Sequence, residues 1–257
     1  HQHEIARHFL TRHYALIAGE MGVGKSLSAI VAMELSGVLD WLVVAPASAL
    51  LSLQLEFQKW NSPIQPKFCT YSSLEKYIAQ WPSGQTIHQG IVFDESAWIK
   101  TPTAKRSQAA QYLADAVRDE WGDSGYVIEM SGAPAPKSPL DWYNQCEIAC
   151  PGFLMEGDYN KFKERLAIII QRENEVTGGV YPELKSWRDS DKKCNVCGEG
   201  QDSLNHDNSC NIHYHDFIPC VNEVANLHNR MRGLVLVKTK KECLGLPDKI
   251  YKEIIVK

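Results

Sequence analysis

Gly19-Glu20-Met21-Gly22-Val23-Gly24-Lys25-Ser26 decides the fold of this chain. It reads G-x-x-x-x-G-K-S, a pattern that binds phosphate when it joins a strand to a helix. The flanks supply that context. Tyr14-Ala15-Leu16-Ile17-Ala18 before it is apolar enough for a strand, and Leu27 to Leu35 after it is free of Gly and Pro and suits a helix. In such a loop the backbone N–H groups of Gly22, Val23 and Gly24 turn toward phosphate oxygens, and the helix N-terminus adds positive partial charge. Lys25 is then the residue that reaches the β and γ phosphates, and the Ser26 hydroxyl is a ligand for Mg²⁺. The pattern therefore predicts nucleotide binding.

Outward from the loop, residues 1 to about 150 alternate between two kinds of segment. Strands are expected at Tyr14–Ala18, Trp41–Ala45, Lys67–Tyr71, Gly90–Asp94 and Tyr126–Met130. Most are dense in Val, Ile, Leu, Phe or Tyr, as strands buried on both faces are. Helices are expected at Ser26–Leu35, Ala49–Trp60, Leu74–Gln80 and Ala104–Glu120. The alternation predicts an α/β domain with a parallel sheet between helices, and ligands at the carboxyl ends of its strands. One of those ends is Ile91-Val92-Phe93-Asp94-Glu95. An ATPase built on a phosphate loop needs this carboxylate pair. Asp94 would hold Mg²⁺, and Glu95 would act as general base on the attacking water. Adjacent carboxylates can also be a solvated turn, but downstream of a phosphate loop the catalytic reading is preferred.

Composition limits the alternatives. The chain has 257 residues, 44% of them hydrophobic, and a formal net charge of −4. That is enough apolar material for a sizeable core, and nucleic-acid binding would have to use a local patch. No apolar run has membrane-spanning length and no secretory leader pattern opens the chain, so an intracellular protein without a membrane partner is expected: cytoplasm or nucleoid in a virus or bacterium, nucleus in a eukaryote. Beyond Pro151 the character changes. Residues 151–182 read as a helical extension with loops, 183–220 as a polar, apolar-poor insertion, and 221–257 as a return to the core with helix over 221–237 and a last strand over Ile250–Val256.

The insertion holds four of the eight cysteines. Cys194-x-x-Cys197 and Cys210-x-x-His213 form two ligand knuckles, a Cys₃His set suited to tetrahedral Zn²⁺. His215 is the main rival to His213, and His206 and Cys220 are further substitutes. A polar segment without a core gains order from a metal. Cys69, Cys146, Cys150 and Cys243 sit singly among apolar residues and read as buried thiols.

Taken together, Gly19–Ser26 and Asp94-Glu95 resemble the first motor domain of superfamily-two helicase-like ATPases, and most closely the SWI/SNF-type DNA translocases. Further stretches resemble that family's motifs in the family's order. His1-Gln2 resembles the adenine-reading glutamine motif, which implies that Gln2 contacts the base. Val43-Val44-Ala45-Pro46-Ala47-Ser48-Ala49-Leu50 and Tyr71-Ser72-Ser73-Leu74 resemble motifs that touch DNA, which makes Pro46, Ser48 and Ser72 DNA-contact candidates. Asp94-Glu95-Ser96-Ala97-Trp98-Ile99-Lys100 resembles D-E-x-H-x-I-K, and Met130-Ser131-Gly132-Ala133-Pro134 resembles L-T-G-T-P. Leu246-Pro247-Asp248-Lys249, after Lys238-Thr239-Lys240-Lys241, resembles the L-P-x-K signature near the end of that domain. The resemblance implies a RecA-like lobe carrying a small zinc-binding insertion. It also implies ATP and Mg²⁺ as cofactors, with double-stranded DNA and a second RecA-like lobe, in cis or in trans, as partners.

The chain departs from the family at several points. Ala97 stands where the family has His, a residue that links the nucleotide site to the S/T motif. Ser131 and Ala133 replace two threonines, and Val237-Lys238 stand where paired arginines are frequent. Nothing matches the second lobe, which in the family supplies arginine fingers worth about 10³–10⁵ in rate. The expectation is a fragment of a longer protein, or one half of a motor, slow on its own. The alternative is a non-hydrolysing module that recognises nucleic acid or protein and uses its phosphate loop as a switch. The basic C-terminal stretch could meet DNA phosphates, and Trp98 is expected in the core.

Overall fold

Five of the expected strands form. β1 (Tyr14–Gly19), β2 (Trp41–Ala45), β3 (Lys67–Thr70), β4 (Gly90–Asp94) and β5 (Tyr126–Ser131) each lie within a residue or so of their sequence-based bounds. In the computed structural model, which describes residues 1–81, 87–174, 178–201, 206 and 216–244, they line up with a later strand, β10 (Val235–Lys238), in one sheet of order β10-β1-β5-β4-β2-β3. Every pairing in it is parallel. All residues of β2, β4 and β5 are buried, which a parallel sheet covered on both faces requires.

Side-chain alternation sorts the core. Val43 of β2 and Val92 of β4 point into one cluster with Ile5, Phe9 and Met33. Their neighbours Leu42, Val44, Ile91 and Phe93 point to the other face, against Ala110 and Leu113. Period-two exchange along a strand is what feeds both faces. α2 (Lys25–Leu35) and α3 (Ala47–Lys59) follow β1 and β2, and α4 (Leu74–Ala79) and α5 (Lys105–Trp121) follow β3 and β4. A third cluster joins Leu16 and Ala18 of β1 to α6 (Trp142–Ala149), α7 (Tyr159–Leu166) and α8 (Glu223–Arg230) through Cys146, Phe162 and Leu227.

The sequence reading needs correction in several places. A helix not anticipated, α1 (Gln2–Arg12), precedes β1 and buries Ile5, Ala6 and Phe9. Phe9 packs against Trp41 and Tyr126 with ring centroids 5.7 and 5.8 Å away. Residues 151–182, expected to be helical, hold α7 but continue into β6 (Ala167–Glu173), which pairs antiparallel with β7 (Val180–Trp187). The run Ala167-Ile168-Ile169-Ile170 is β-branched and favours strand over helix. In 221–237 the helix ends at Arg230, Gly233 takes φ 91°, and β10 follows as the sixth strand. Within the insertion β8 (Lys192–Cys194) pairs with β9 (Phe217–Pro219). α9 (Lys240–Leu244) closes the described chain. The expected strand Ile250–Val256 and the Leu246–Lys249 signature lie outside the described residues.

Candidate functional site

Strand order assembles the site. β5 lies between β1 and β4, so the loops after these three strands are neighbours at the carboxyl edge of the sheet. They carry the phosphate-loop pattern, the Asp94-Glu95 pair and Ser131-Gly132-Ala133-Pro134.

The first loop turns as its glycines allow. Gly22 and Gly24 have φ 87° and 82°, and Gly24 is the N-cap of α2; a Cβ disfavours that conformation. The Gln2 side chain of α1 lies directly against Gly24. Lys25 Nζ donates to the Gly19 carbonyl at 2.6 Å and to the Glu20 carbonyl at 3.3 Å. Burial lowers the Lys25 pKa, and the charges of Glu95 and Asp94 work the other way. A cavity of about 440 Å³ is lined by Gln2, Gly22, Gly24, Lys25, Ser26, Asp94 and Glu95. Seven of the expected cofactor and catalytic residues therefore face one space, while Val23 is buried behind the loop.

Asp94 is buried at the end of β4. Burial, with Glu95 next to it, raises its carboxyl from 3.8 to about 6, and Lys25 only partly offsets this. A hard divalent cation held by oxygen ligands suits such a carboxylate beside a serine hydroxyl, so the donor set of Ser26 and Asp94 fits Mg²⁺. Glu95 takes a left-handed conformation, φ 53° and ψ 54°, which is uncommon outside glycine. Tyr71 from the segment after β3 donates to the Asp94 carbonyl at 2.8 Å.

Three ties join the Asp94–Lys100 loop to the segment after β5. Ser131 Oγ donates to Glu95 Oε2 at 3.2 Å. Ser96 Oγ donates to Gln145 Oε1 at 2.7 Å, and Gln145 Nε2 donates to the carbonyls of Pro134 and Asp141 at 2.7 and 2.8 Å. Lys100 Nζ pairs with Asp141 at 2.8 Å. Gly132 sits where a Cβ would come within 3.2 Å of the Met21 side chain and 3.9 Å of Glu95 Oε1. Below the loops Glu129 is fully buried in β5, and burial holds its carboxyl well above the usual range. Gln145 and Asp141 were not singled out from the sequence. The one available signal was the adjacent polar pair Asn144-Gln145 between aromatic and small apolar residues of α6.

Other expected residues fare unevenly. Ser48 and Ser72 are exposed at the carboxyl ends of β2 and β3, but Pro46 is buried as the N-cap of α3 and offers no side-chain surface to DNA. Trp98 is not core. It is 47% exposed, stacked parallel on Tyr71 with centroids 6.2 Å apart, with the Arg106 guanidinium 5.5 Å from its ring centre. A short 3₁₀ turn, Ser96–Ile99, carries it outward. The basic C-terminal stretch is not uniform. Lys238 pairs with Glu4 at 2.9 Å, and the Lys240 N–H donates to Glu20 Oε2 at 2.8 Å while its stem lies beside Gly22. Lys249, Lys252 and Lys257 lie outside the described residues.

Away from this edge, the Sγ atoms of Cys194 and Cys197 and a ring nitrogen of His206 lie within 4.8 Å of one another. Cys210, His213 and the rival His215 lie outside the described residues. The substitute Cys220 is turned away, donating its thiol to the Ser190 carbonyl at 3.0 Å. Another cavity, of about 540 Å³ at the root of the insertion, is lined by none of the phosphate-loop or carboxylate residues. No helix among the described residues is long and apolar enough to cross a membrane.

Comparison with known proteins fits this geometry. No family model matches the chain. An uncharacterised ATP-dependent helicase of Mycoplasma genitalium is 25% identical over 175 residues, which span 58% of this chain and 16% of that protein. Among solved structures, the SWI2/SNF2 ATPase core of Sulfolobus solfataricus in complex with dsDNA aligns over 93% of this chain and 44% of its own. Its TM-score is 0.57 at 17% identity. The helicase domain of Pyrococcus furiosus Hef aligns over 58% of this chain and 35% of its own, with a TM-score of 0.45 at 16% identity, too low to carry an argument. The chain thus has a RecA-like α/β fold, and its resemblance to the SWI2/SNF2 ATPase core holds at the level of fold. It spans a sixth of the length of the curated relative and less than half of the solved core.

Proposed function

We propose that this chain is the ATP- and Mg²⁺-binding first motor lobe of a SWI/SNF-type ATPase that acts on double-stranded DNA, working with a second RecA-like lobe in cis or in trans. The observation that carries the proposal is the meeting of Gln2, Lys25, Ser26, Asp94 and Glu95 around one cavity at the carboxyl edge of the sheet. Gln2 reads the adenine edge, and the N–H groups of Gly22, Val23 and Gly24 with the Lys25 ammonium hold the phosphates. Ser26 and Asp94 hold Mg²⁺, which when bound neutralises charge developing on the phosphate oxygens. Glu95 accepts a proton from the attacking water, and the Ser131 hydroxyl fixes its carboxylate. The DNA assignment draws on the exposed Ser48 and Ser72 and on the dsDNA in the Sulfolobus complex. The insertion stands apart from this cavity and serves as a structural, zinc-braced element. The protein is read as intracellular.

ATP turnover with and without duplex DNA, beside Lys25→Ala, tests this reading. DNA-stimulated turnover that the mutation abolishes supports it, and implies self-association to complete the site. Mg–ATP binding without turnover, again lost in Lys25→Ala, supports a lobe that needs its partner. Absence of nucleotide binding overturns it and leaves a module that recognises nucleic acid or protein without ATP.

A further inference from the structure

The insertion holds an ordered set of soft donors. Cys194 ends β8, and the chain turns back at once. Gly198 N–H donates to the Cys194 carbonyl at 2.9 Å, Cys194 N–H donates to the Glu199 carbonyl at 2.8 Å, and Gly198 has φ 75°. This turn sets Cys197 beside Cys194 and points the Val196 N–H at Cys194 Sγ, 3.4 Å away. An N–H aimed at sulfur favours a thiolate, the form that binds metal. His206 arrives from a separate part of the chain. Its ring packs on Phe217 with centroids 5.0 Å apart, and Phe217 is the strand partner of Cys194 in the β8–β9 pair. The three donor atoms lie within 4.8 Å of one another, close to the roughly 3.5–4 Å between neighbouring ligands of a tetrahedral zinc.

We propose that Cys194, Cys197 and His206 are three ligands of a structural Zn²⁺, with His206 taking the histidine position that the sequence spacing assigns to His213. Two thiolates and an imidazole select Zn²⁺ over the hard cations that suit Asp94. Cys220, committed to the Ser190 carbonyl, is not a ligand. The metal braces the excursion between Arg188 and Val224, whose ends meet through the Val224 N–H on the Arg188 carbonyl at 3.2 Å. Lys185 of β7 grips the knuckle, donating to the Cys197 carbonyl at 3.1 Å and pairing with buried Glu199 at 3.1 Å. Cross-linking a long polar loop lowers the entropy of the unfolded chain, and the loop leads through α8 to β10, whose Lys238 carbonyl accepts from the Glu20 N–H of the phosphate loop at 2.9 Å.

Metal content of the full chain purified under reducing conditions tests the assignment without reference to ATP chemistry. The expected result is one equivalent of zinc, with a tetrahedral thiolate spectrum after exchange to Co²⁺. Loss of zinc is expected in Cys194→Ser, Cys197→Ser and His206→Ala, and retention in Cys220→Ser and His213→Ala. Mg–ATP binding by each variant serves as the check that the lobe still folds; if a variant fails it, the wild-type Co²⁺ spectrum decides, because it reports thiolate and imidazole ligation directly. Absence of zinc and of Co²⁺ binding in the wild type overturns the site. Zinc retained by folded His206→Ala and lost from His213→Ala overturns the ligand set.

Discussion

Asp94 shows how a single residue trades stability for chemistry. Its carboxyl is buried beside Glu95 and titrates at about 6 instead of 3.8. A raised acid pKa favours the protonated form in the folded state. The stability it contributes is fully present below pH 3.8 and is lost as pH rises to about 6. At neutral pH the folded chain therefore carries a penalty of up to about 3 kcal/mol, taking 1.36 kcal/mol per unit. Asp94→Asn is expected to raise the melting temperature of the nucleotide-free chain at pH 7.5, with the advantage vanishing by about pH 4, and to lose Mg²⁺-dependent ATP binding. Thermal unfolding across that range checks it; an unchanged melting temperature at pH 7.5 contradicts it. At this scale the phosphate loop and carboxylate pair were legible because their chemistry requires particular residue types at fixed spacing. Trp98 was misread because its exposure is set by a 3₁₀ turn and by its stacking on Tyr71, neither of which has a local signature.

At the scale of single elements, α6 ties two loops of the site together. α6 presents Gln145 to both loops at once, through Ser96 on one side and the Pro134 carbonyl on the other. Gln145→Leu leaves these buried partners unpaired, at a cost of about 1–3 kcal/mol. The expected outcome is a lower urea midpoint and, in any preparation that turns over ATP, a fall in kcat with little change in nucleotide Kd. A proportional loss of nucleotide affinity would place Gln145 in binding instead. The elements themselves were mostly readable, since five strands and four helices follow hydrophobic runs and breakers. α1 went unread because its apolar face is short, formed by Ile5, Ala6 and Phe9 with Leu10 beside them. β6 was read as helix although its run Ile168-Ile169-Ile170 favours a strand, and pairing with β7 completes that strand.

Across the whole molecule, segments far apart in sequence close on the phosphate loop. β10 pairs with β1, the Glu20 N–H donates to the Lys238 carbonyl at 2.9 Å, and α9 starts with Lys240 beside Gly22. With Lys240 set beside the phosphate loop, a nucleotide role can be tested against the DNA role. Lys240→Ala is expected to weaken Mg–ATP binding several-fold, by about 1 kcal/mol as for a charge-assisted contact, and to leave the salt dependence of duplex-DNA binding unchanged. Calorimetry for ATP and salt titration for DNA distinguish the two roles; a flattened salt slope with unchanged ATP affinity would return Lys240 to DNA.

The sequence by itself determined the parallel α/β architecture, the phosphate loop and the carboxylate pair, because strand burial and phosphate chemistry each constrain residues within a few positions of one another. Only the tertiary structure decided that β10 completes the sheet, that Gln145 bridges two loops, that Pro46 is hidden and Trp98 exposed, and that His206 joins Cys194 and Cys197. These depend on which strands become neighbours and on which side chains meet across hundreds of intervening atoms. Strand order and long-range packing are settled by the burial of the whole chain, and no local pattern encodes them.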